Sequence, residues 1–187
     1  MALLDVNKLS IHFGGVKAVQ EVSFSIDAGI VYAVIGPNGA GKTTLFNLIT
    51  GVYKPTSGEI RLDGESIGGK SPNELATRGV ARTFQNLQIC MNMSAIENVM
   101  VGAHLRLDRN LLKAAMRLPA LKRRDAELRE EAADLMRFVG LDKYVETRAD
   151  AMSYGALKRL EIARALAMKP RLIFLDEPAA GLNPKET

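Results

Sequence analysis

The chain has 187 residues, 47% hydrophobic and 25% charged, a balance that supports one α/β core with a modest insertion and excludes disordered and fibrous classes. Its formal net charge of +4 suits an anionic ligand but is small for a nucleic-acid binder, so no nucleic-acid partner is expected. No stretch approaches the ~18 uninterrupted apolar residues of a spanning helix, MALLDVNKLS lacks the lead-in of a secretory signal, and the lone Cys90 cannot form an intrachain disulfide; a reducing, cytosolic setting follows, with Cys90 as a small buried apolar residue.

In chain order, VSFSI at 22–26, VYAVI at 31–35 and EIRLD at 59–63 read as strands. VYAVI lacks period-2 alternation and is rich in β-branched residues, which predicts a strand buried on both faces in a helix-covered sheet; LIFLD at 172–176 has the same character. Glycines 58, 64, 68 and 69 space the chain into turns and predict a small antiparallel edge. Residues 110–139 carry almost no turn signal and place Leu121, Leu128, Leu135 and Val139 at helical spacing, a helical insertion. Within it, KRRDAELREE at 122–131 mixes charge signs as a solvated helix face does.

Chemistry enters after VYAVI, where Gly36-Pro37-Asn38-Gly39-Ala40-Gly41-Lys42-Thr43 fits G-x-x-x-x-G-K-[ST] between an expected strand and a helix beginning LFNLIT. Glycines let backbone N–H groups turn inward around phosphate, Lys42 can reach the terminal phosphates, Thr44 adds a second hydroxyl, and the helix N-terminus presents its positive end. The Thr43 hydroxyl is placed for Mg²⁺. Asp176-Glu177-Pro178 closes the strand LIFL, the expected position for a metal-side carboxylate, Asp176. Glu177 could polarise a water for in-line attack on the γ-phosphate, or serve as an N-cap or surface acid. These residues predict a Mg²⁺-dependent P-loop nucleoside triphosphatase.

Ser153-Tyr154-Gly155, continued by ALKRLEIARAL, opens a further helix whose Ser and Gly form a second anion site; the segment resembles the signature of ABC ATPases. Other landmarks follow in order: Gln85 in ARTFQN resembles the Q-loop glutamine, Ala180-Gly181-Leu182-Asn183 the D-loop, and Phe13 in IHFGG the adenine-stacking aromatic. Taken alone, Phe13 would read as core and Gln85 as a loop residue. HFGGVKAV, GPNGAGKTTLFNLITGVYKPTSGEI, YGALKRLEIARAL and DEPAAGLNPKET are similar to the ATP-binding subunits of branched-chain amino acid importers.

The resemblance covers the whole chain and implies one ABC ATPase domain over 1–187, an α/β P-loop core with an antiparallel β subdomain and a helical subdomain at about 86–165. It implies ATP and Mg²⁺ as ligands, with Thr43, Gln85 and Asp176 around the metal and Glu177 and Gln85 catalytic. It also implies a second ATPase subunit whose nucleotide this chain's signature caps, permease subunits in the membrane, and a peripheral position on its inner face. Ala156 and Leu157 depart from the family's glutamine-bearing signature, removing an amide near the dimer interface. The only histidines, His12 and His104, do not match the family's switch histidine, which lies on a strand beyond the D-loop. Because the sequence ends at Thr187, the expectation is a C-terminally incomplete domain with weak hydrolysis of its own. The rival classes are a soluble ABC ATPase, which joins two cassettes or carries a long coiled coil, and a noncatalytic nucleotide-binding remnant.

Overall fold

The computed structural model describes residues 2–106 and 119–178. The chain divides into two compact units, Met1–Arg78 and Gly79–Thr187, and the expected helical subdomain falls within the second.

The first unit is built on a four-stranded antiparallel sheet, β1 (Ala2–Phe13), β2 (Val16–Asp27), β3 (Ser57–Leu62) and β4 (Glu65–Ser66), in the order β2-β1-β3-β4. Two tight turns set its register. Gly14 and Gly15 join β1 to β2, and Asp63 and Gly64 join β3 to β4, all with positive φ, the mirror-image geometry that matches strand twist. β1 supplies Leu4, Val6, Leu9 and Ile11 to the core, where they meet Ile60, Leu62 and Ile67. Helix α1 (Lys42–Ile49) adds Leu45, Leu48 and Ile49, and α2 (Pro72–Thr77), started by a Ser71–Glu74 capping box, adds Leu75.

The antiparallel edge expected around Gly58–Gly69 is present, as are the strands through 22–26 and 59–62. Strand β1 was not read from the sequence: between Val6 and Leu9 its register against β2 shifts at Lys8 (φ +46), breaking the period-2 signal.

The strand expected at 31–35 is absent. Residues 30–37 belong to no strand, Val31 is 101% and Ile35 90% exposed, and only Tyr32 finds a ring partner, stacked on Phe24 at 5.8 Å. A run of β-branched residues becomes a buried strand only when neighbours hydrogen-bond to its edges and helices cover its faces, and this sheet closes through β1 and β3 without it.

Among the described residues, the second unit pairs β5 (Val80–Arg82) with β6 (Leu172–Phe174) in parallel and packs helices α3 (Ala95–Gly102), α4 (Pro119–Phe138) and α5 (Tyr154–Leu166). The expected two-faced burial of the 172–176 strand is partial, since Leu172 and Ile173 are only half-buried in a two-stranded sheet. The helical insertion is present as α4, but its buried stripe runs through Leu128, Ala132 and Met136, four residues apart, while Leu135 and Val139 pack at the margin. The part of the expected helix at 110–118 lies outside the described residues. Charges at 123–131 face outward, with Arg123 on Glu127 at 3.1 Å; Glu131 leaves that pattern and takes Arg106 at 2.8 Å and Lys169 at 3.1 Å. Cys90 is half-buried, and its N–H and C=O are both bound by the buried Asn98 side chain, at 2.8 and 3.0 Å.

Helices α3 and α5 approach at Gly102, where an added Cβ would stand 2.0 Å from the Arg164 carbonyl oxygen. Gly102→Ala is therefore expected to lower stability by about 2–3 kcal/mol through overpacking, read as a lower urea midpoint at unchanged slope. A midpoint equal to the wild type would show that the two helices part without cost.

Candidate functional site

Residues 36–41 carry the chain into α1. Gly39 and Gly41 have φ +83° and +84°, and a Cβ on Gly41 would stand 2.6 Å from the Ala18 carbonyl oxygen on β2, so both backbone sign and space demand glycine there. The Ala40 N–H donates to Pro37 O at 3.2 Å, and Lys42 Nζ folds back to the carbonyls of Gly36 and Pro37 at 2.7 and 2.9 Å. Gly41 gives α1 no side-chain cap, and the first turn holds no acid, so the N–H groups at this helix start are left for an external anion. Thr43 is exposed and Thr44 half-buried in that turn, beside the exposed Asn38, Gly39 and Ala40.

Phe13 ends β1 with its ring edge-on to Tyr53, centroids 5.2 Å apart at 72°. Tyr53 carried no signal in the sequence beyond being an aromatic after α1. Its N–H and that of Val52 both donate to Asn47 O, and His12 N–H donates to Thr56 Oγ1 at 3.2 Å, which ties the Tyr53 loop to the end of β1.

In the second unit, the parallel pairing of Arg82 with Phe174 brings Asp176 beside β5. Arg82 Nη2 donates to Asp176 Oδ2 at 3.1 Å, with both side chains largely buried, and the Asp176 N–H reaches Thr83 Oγ1 at 3.3 Å. Arg82 also lies 5.0 Å from the Phe84 ring centroid. Glu177 is exposed and sits at φ +48°, a left-handed conformation that costs a non-glycine residue about 1–3 kcal/mol and concentrates at functional positions. The Gln85 residue is exposed while its carbonyl accepts from Lys158 Nζ at 3.0 Å.

Ser153 caps α5, accepting from Ala156 N–H at 3.3 Å; Tyr154 is exposed next to it and Gly155 is buried. Ala156 and Leu157 point into the helical core, where a glutamine amide would be buried. The expected D-loop, Ala180 to Asn183, lies outside the described residues.

Arg82, Thr83, Lys158 and Glu161 were missed by the sequence reading; the signal available was two charges three residues apart on an otherwise apolar helix face. Lys158 is 4% and Glu161 6% exposed, and with Thr83 and Asp176 they line one narrow crevice. Burial pushes the Glu161 carboxyl above its ordinary value, against the opposing pull of the Phe84 N–H and the Lys158 charge.

The phosphate loop, the capped signature helix and the acidic pair after a parallel strand follow one another in the order of one family. A profile for ABC transporters matches residues 19–180. The chain belongs to the ABC transporter family. Over 185 residues and 99% of its length, this ABC transporter chain is 46% identical to the high-affinity branched-chain amino acid transport ATP-binding protein BraF of Pseudomonas aeruginosa, covering 72% of that relative. It is 42% identical to LivG of Escherichia coli, a protein of the same description, again over 99% of this chain and 72% of the relative. Among solved structures, the ADP conformation of MJ1267, an ATP-binding cassette of an ABC transporter, superposes with TM-score 0.82 at 34% identity, covering 100% of this chain and 72% of that one. The fold is thus the α/β P-loop fold of ABC ATPase cassettes, and among the described residues no helix is long and apolar enough to cross a membrane.

A carboxyl whose pKa is raised by folding takes up protons as the chain folds, so its contribution to stability is full below the ordinary carboxylate range and is lost as pH rises through the folded value. Lys158, Arg164 and Asp176 are the charged groups facing it. Glu161→Gln, which cannot ionise, is expected to melt above the wild type at neutral pH, with the gap closing as pH falls toward 4.5. Thermal melts across that range check it, and an equal or lower melting point for the variant at neutral pH would contradict it.

Proposed function

We propose that this chain is the ATP-binding and ATP-hydrolysing subunit of a membrane importer for branched-chain amino acids. The observation that carries the reading is the phosphate loop: an uncapped, acid-free helix start with Lys42 folded over the glycine turn that precedes it. The names of the BraF and LivG relatives support the cargo, and their role as transport ATP-binding proteins supports permease subunits as partners. A second ATPase subunit completes the proposed assembly, which sits peripherally on the inner face of the membrane.

In this reading the N–H groups of Asn38, Gly39 and Gly41 turn to the phosphates, Lys42, Thr43 and Thr44 add one ammonium and two hydroxyls, and Phe13, braced by Tyr53, offers its ring to the adenine. Thr43, Gln85 and Asp176 each carry an oxygen of the hard kind that Mg²⁺ takes, which supports the metal role that the resemblance gives them. When bound, Mg²⁺ offsets phosphate charge. Arg82 fixes the Asp176 carboxylate by one oxygen, and Glu177, exposed just beyond, orients the attacking water and takes its proton. Ser153, Tyr154 and Gly155 present the signature to the nucleotide of the second subunit.

Lys42→Ala is expected to abolish ATP binding in calorimetry, because the main countercharge of the β- and γ-phosphates is gone; unchanged affinity would refute the phosphate-loop assignment. In the assembled transporter, Glu177→Gln is expected to keep ATP affinity and slow phosphate release by at least ~10²-fold, since geometry survives while the base is lost. Near-normal turnover would place the base elsewhere. Tyr53→Ala is expected to weaken ATP binding by about threefold to tenfold without changing affinity for inorganic triphosphate, because only the base contact loses its brace. Equal loss for both ligands would remove Tyr53 from the adenine side.

A further inference from the structure

Asp176, the carboxylate proposed for the metal, is paired with a cation of its own chain. Arg82 Nη2 donates to Asp176 Oδ2 at 3.1 Å, and the two side chains are only 7% and 13% exposed. The guanidinium lies 5.0 Å from the Phe84 ring centroid, a further favourable contact for a cation. Main-chain geometry fixes the pairing. Arg82 faces Phe174 in the β5–β6 register, the Thr83 N–H donates to Phe174 O at 2.9 Å, and Thr83 Oγ1 accepts from the Asp176 N–H at 3.3 Å. A desolvated charge stripped of its counter-ion is far costlier than the intact pair, so neither side chain leaves the other without a replacement.

The neighbouring charges do not take over the part of Arg82. Lys158 and Glu161 line one crevice with Asp176, but their hydrogen bonds go to main chain: Lys158 Nζ to Gln85 O at 3.0 Å, and Glu161 from the N–H groups of Phe84, at 3.4 Å, and of Gln88. Arg82 and Lys158 together balance the formal charges of Asp176 and Glu161. A divalent cation approaching Asp176 therefore meets a neutral group of charges, its attraction to the carboxylate offset by repulsion from the adjacent guanidinium. Glu177 is exposed, and water weakens the pull of its charge. The negative charge that would tip this balance is the kind a triphosphate carries. We propose that Arg82 is a built-in counter-ion for Asp176, keeping bare divalent metal off this carboxylate and reserving it for metal that arrives with a nucleotide's phosphates. The inference rests on the metal role proposed for Asp176 and adds the residue that regulates it.

The test needs no nucleotide. Arg82→Gln keeps a donor for the carboxylate and removes the charge. Thermal melts of the full chain in EDTA and in about 10 mM Mg²⁺ or Mn²⁺ are expected to differ by at least about 3 °C for Arg82→Gln, because a metal that binds only the folded state stabilises it. The wild type and Arg82→Lys, which keeps the charge, are expected to shift by less than about 1 °C. Arg82→Gln is also expected to take up Mn²⁺, read as loss of the free-ion paramagnetic resonance signal, where the wild type does not. Asp176→Asn added to Arg82→Gln is expected to abolish both effects. Should Arg82→Gln fail to fold in EDTA, recovery of folded chain on refolding with Mg²⁺ supports the proposal. Equal shifts in wild type and variant, or a variant indifferent to metal whether folded or not, would overturn it. Asp176→Asn alone checks the underlying reading by calorimetry with ATP. If Mg²⁺ no longer strengthens ATP binding in that variant, Asp176 serves the metal and the melts decide the part of Arg82; an unchanged Mg²⁺ effect would remove the metal role of Asp176 and the inference with it.

Discussion

The phosphate loop turns against strand β2 at Gly41, where the Ala18 carbonyl oxygen occupies the space that any side chain at residue 41 would need. That contact decides where α1 starts and hence where its unpaired N–H groups point. With φ at +84° and no room for a Cβ, residue 41 can be only glycine, and the loop ahead of it must double back, which lets the Lys42 ammonium close on the carbonyls of Gly36 and Pro37. The core of the first unit serves this geometry. Leu45, Leu48 and Ile49 bury the opposite side of α1, so the helix is anchored by its apolar face while its N-terminus stays uncovered.

In the second unit, charge burial plays the part that close backbone approach plays in the first. Asp176 and Arg82 satisfy one another across the β5–β6 pair, while Lys158 and Glu161 satisfy the main chain of a loop. A carboxylate or ammonium placed this deep constrains its neighbours more tightly than apolar packing does, because a shift of the loop would leave a desolvated charge without a partner. The strained backbone of Glu177 is held between such constraints: it follows directly on Asp176, whose side chain and N–H are both fixed.

What could be read in advance followed from how local the cause was. The phosphate loop, the Ser153 cap and the Asp63-Gly64 hairpin are written in contiguous residues, because each depends on glycine or a short polar side chain at a fixed offset. Strand β1 was obscured by its own irregularity at Lys8, which moves the apolar positions from one parity to the other between Val6 and Leu9. The stretch 31–35 misled for the opposite reason: its composition is that of a central strand, yet a strand is made by its neighbours' hydrogen bonds, which no local pattern can report. The site shows the same division. Gly36 to Thr44 were legible as a motif and Gln85 through resemblance alone, whereas Arg82, Lys158 and Glu161 act over separations of 73 to 94 residues and leave only a faint trace, charges on an otherwise apolar face.

The bonds from α5 to residues 84–88 ignore side chains altogether. N–H and C=O groups are the same whatever residue bears them, so the exposed Asn86 and Gln88 can be exchanged without loosening the grip, provided no proline removes the donor at 88, whereas Phe84 lies against Arg82 and Leu87 packs on the core. The loop is in that sense a mount with replaceable fittings: its path is set by the helix beneath, while the chemistry of its outer surface is open to selection. Substitutions at such positions change what the loop presents outward while Gln85, whose carbonyl Lys158 holds, keeps its place.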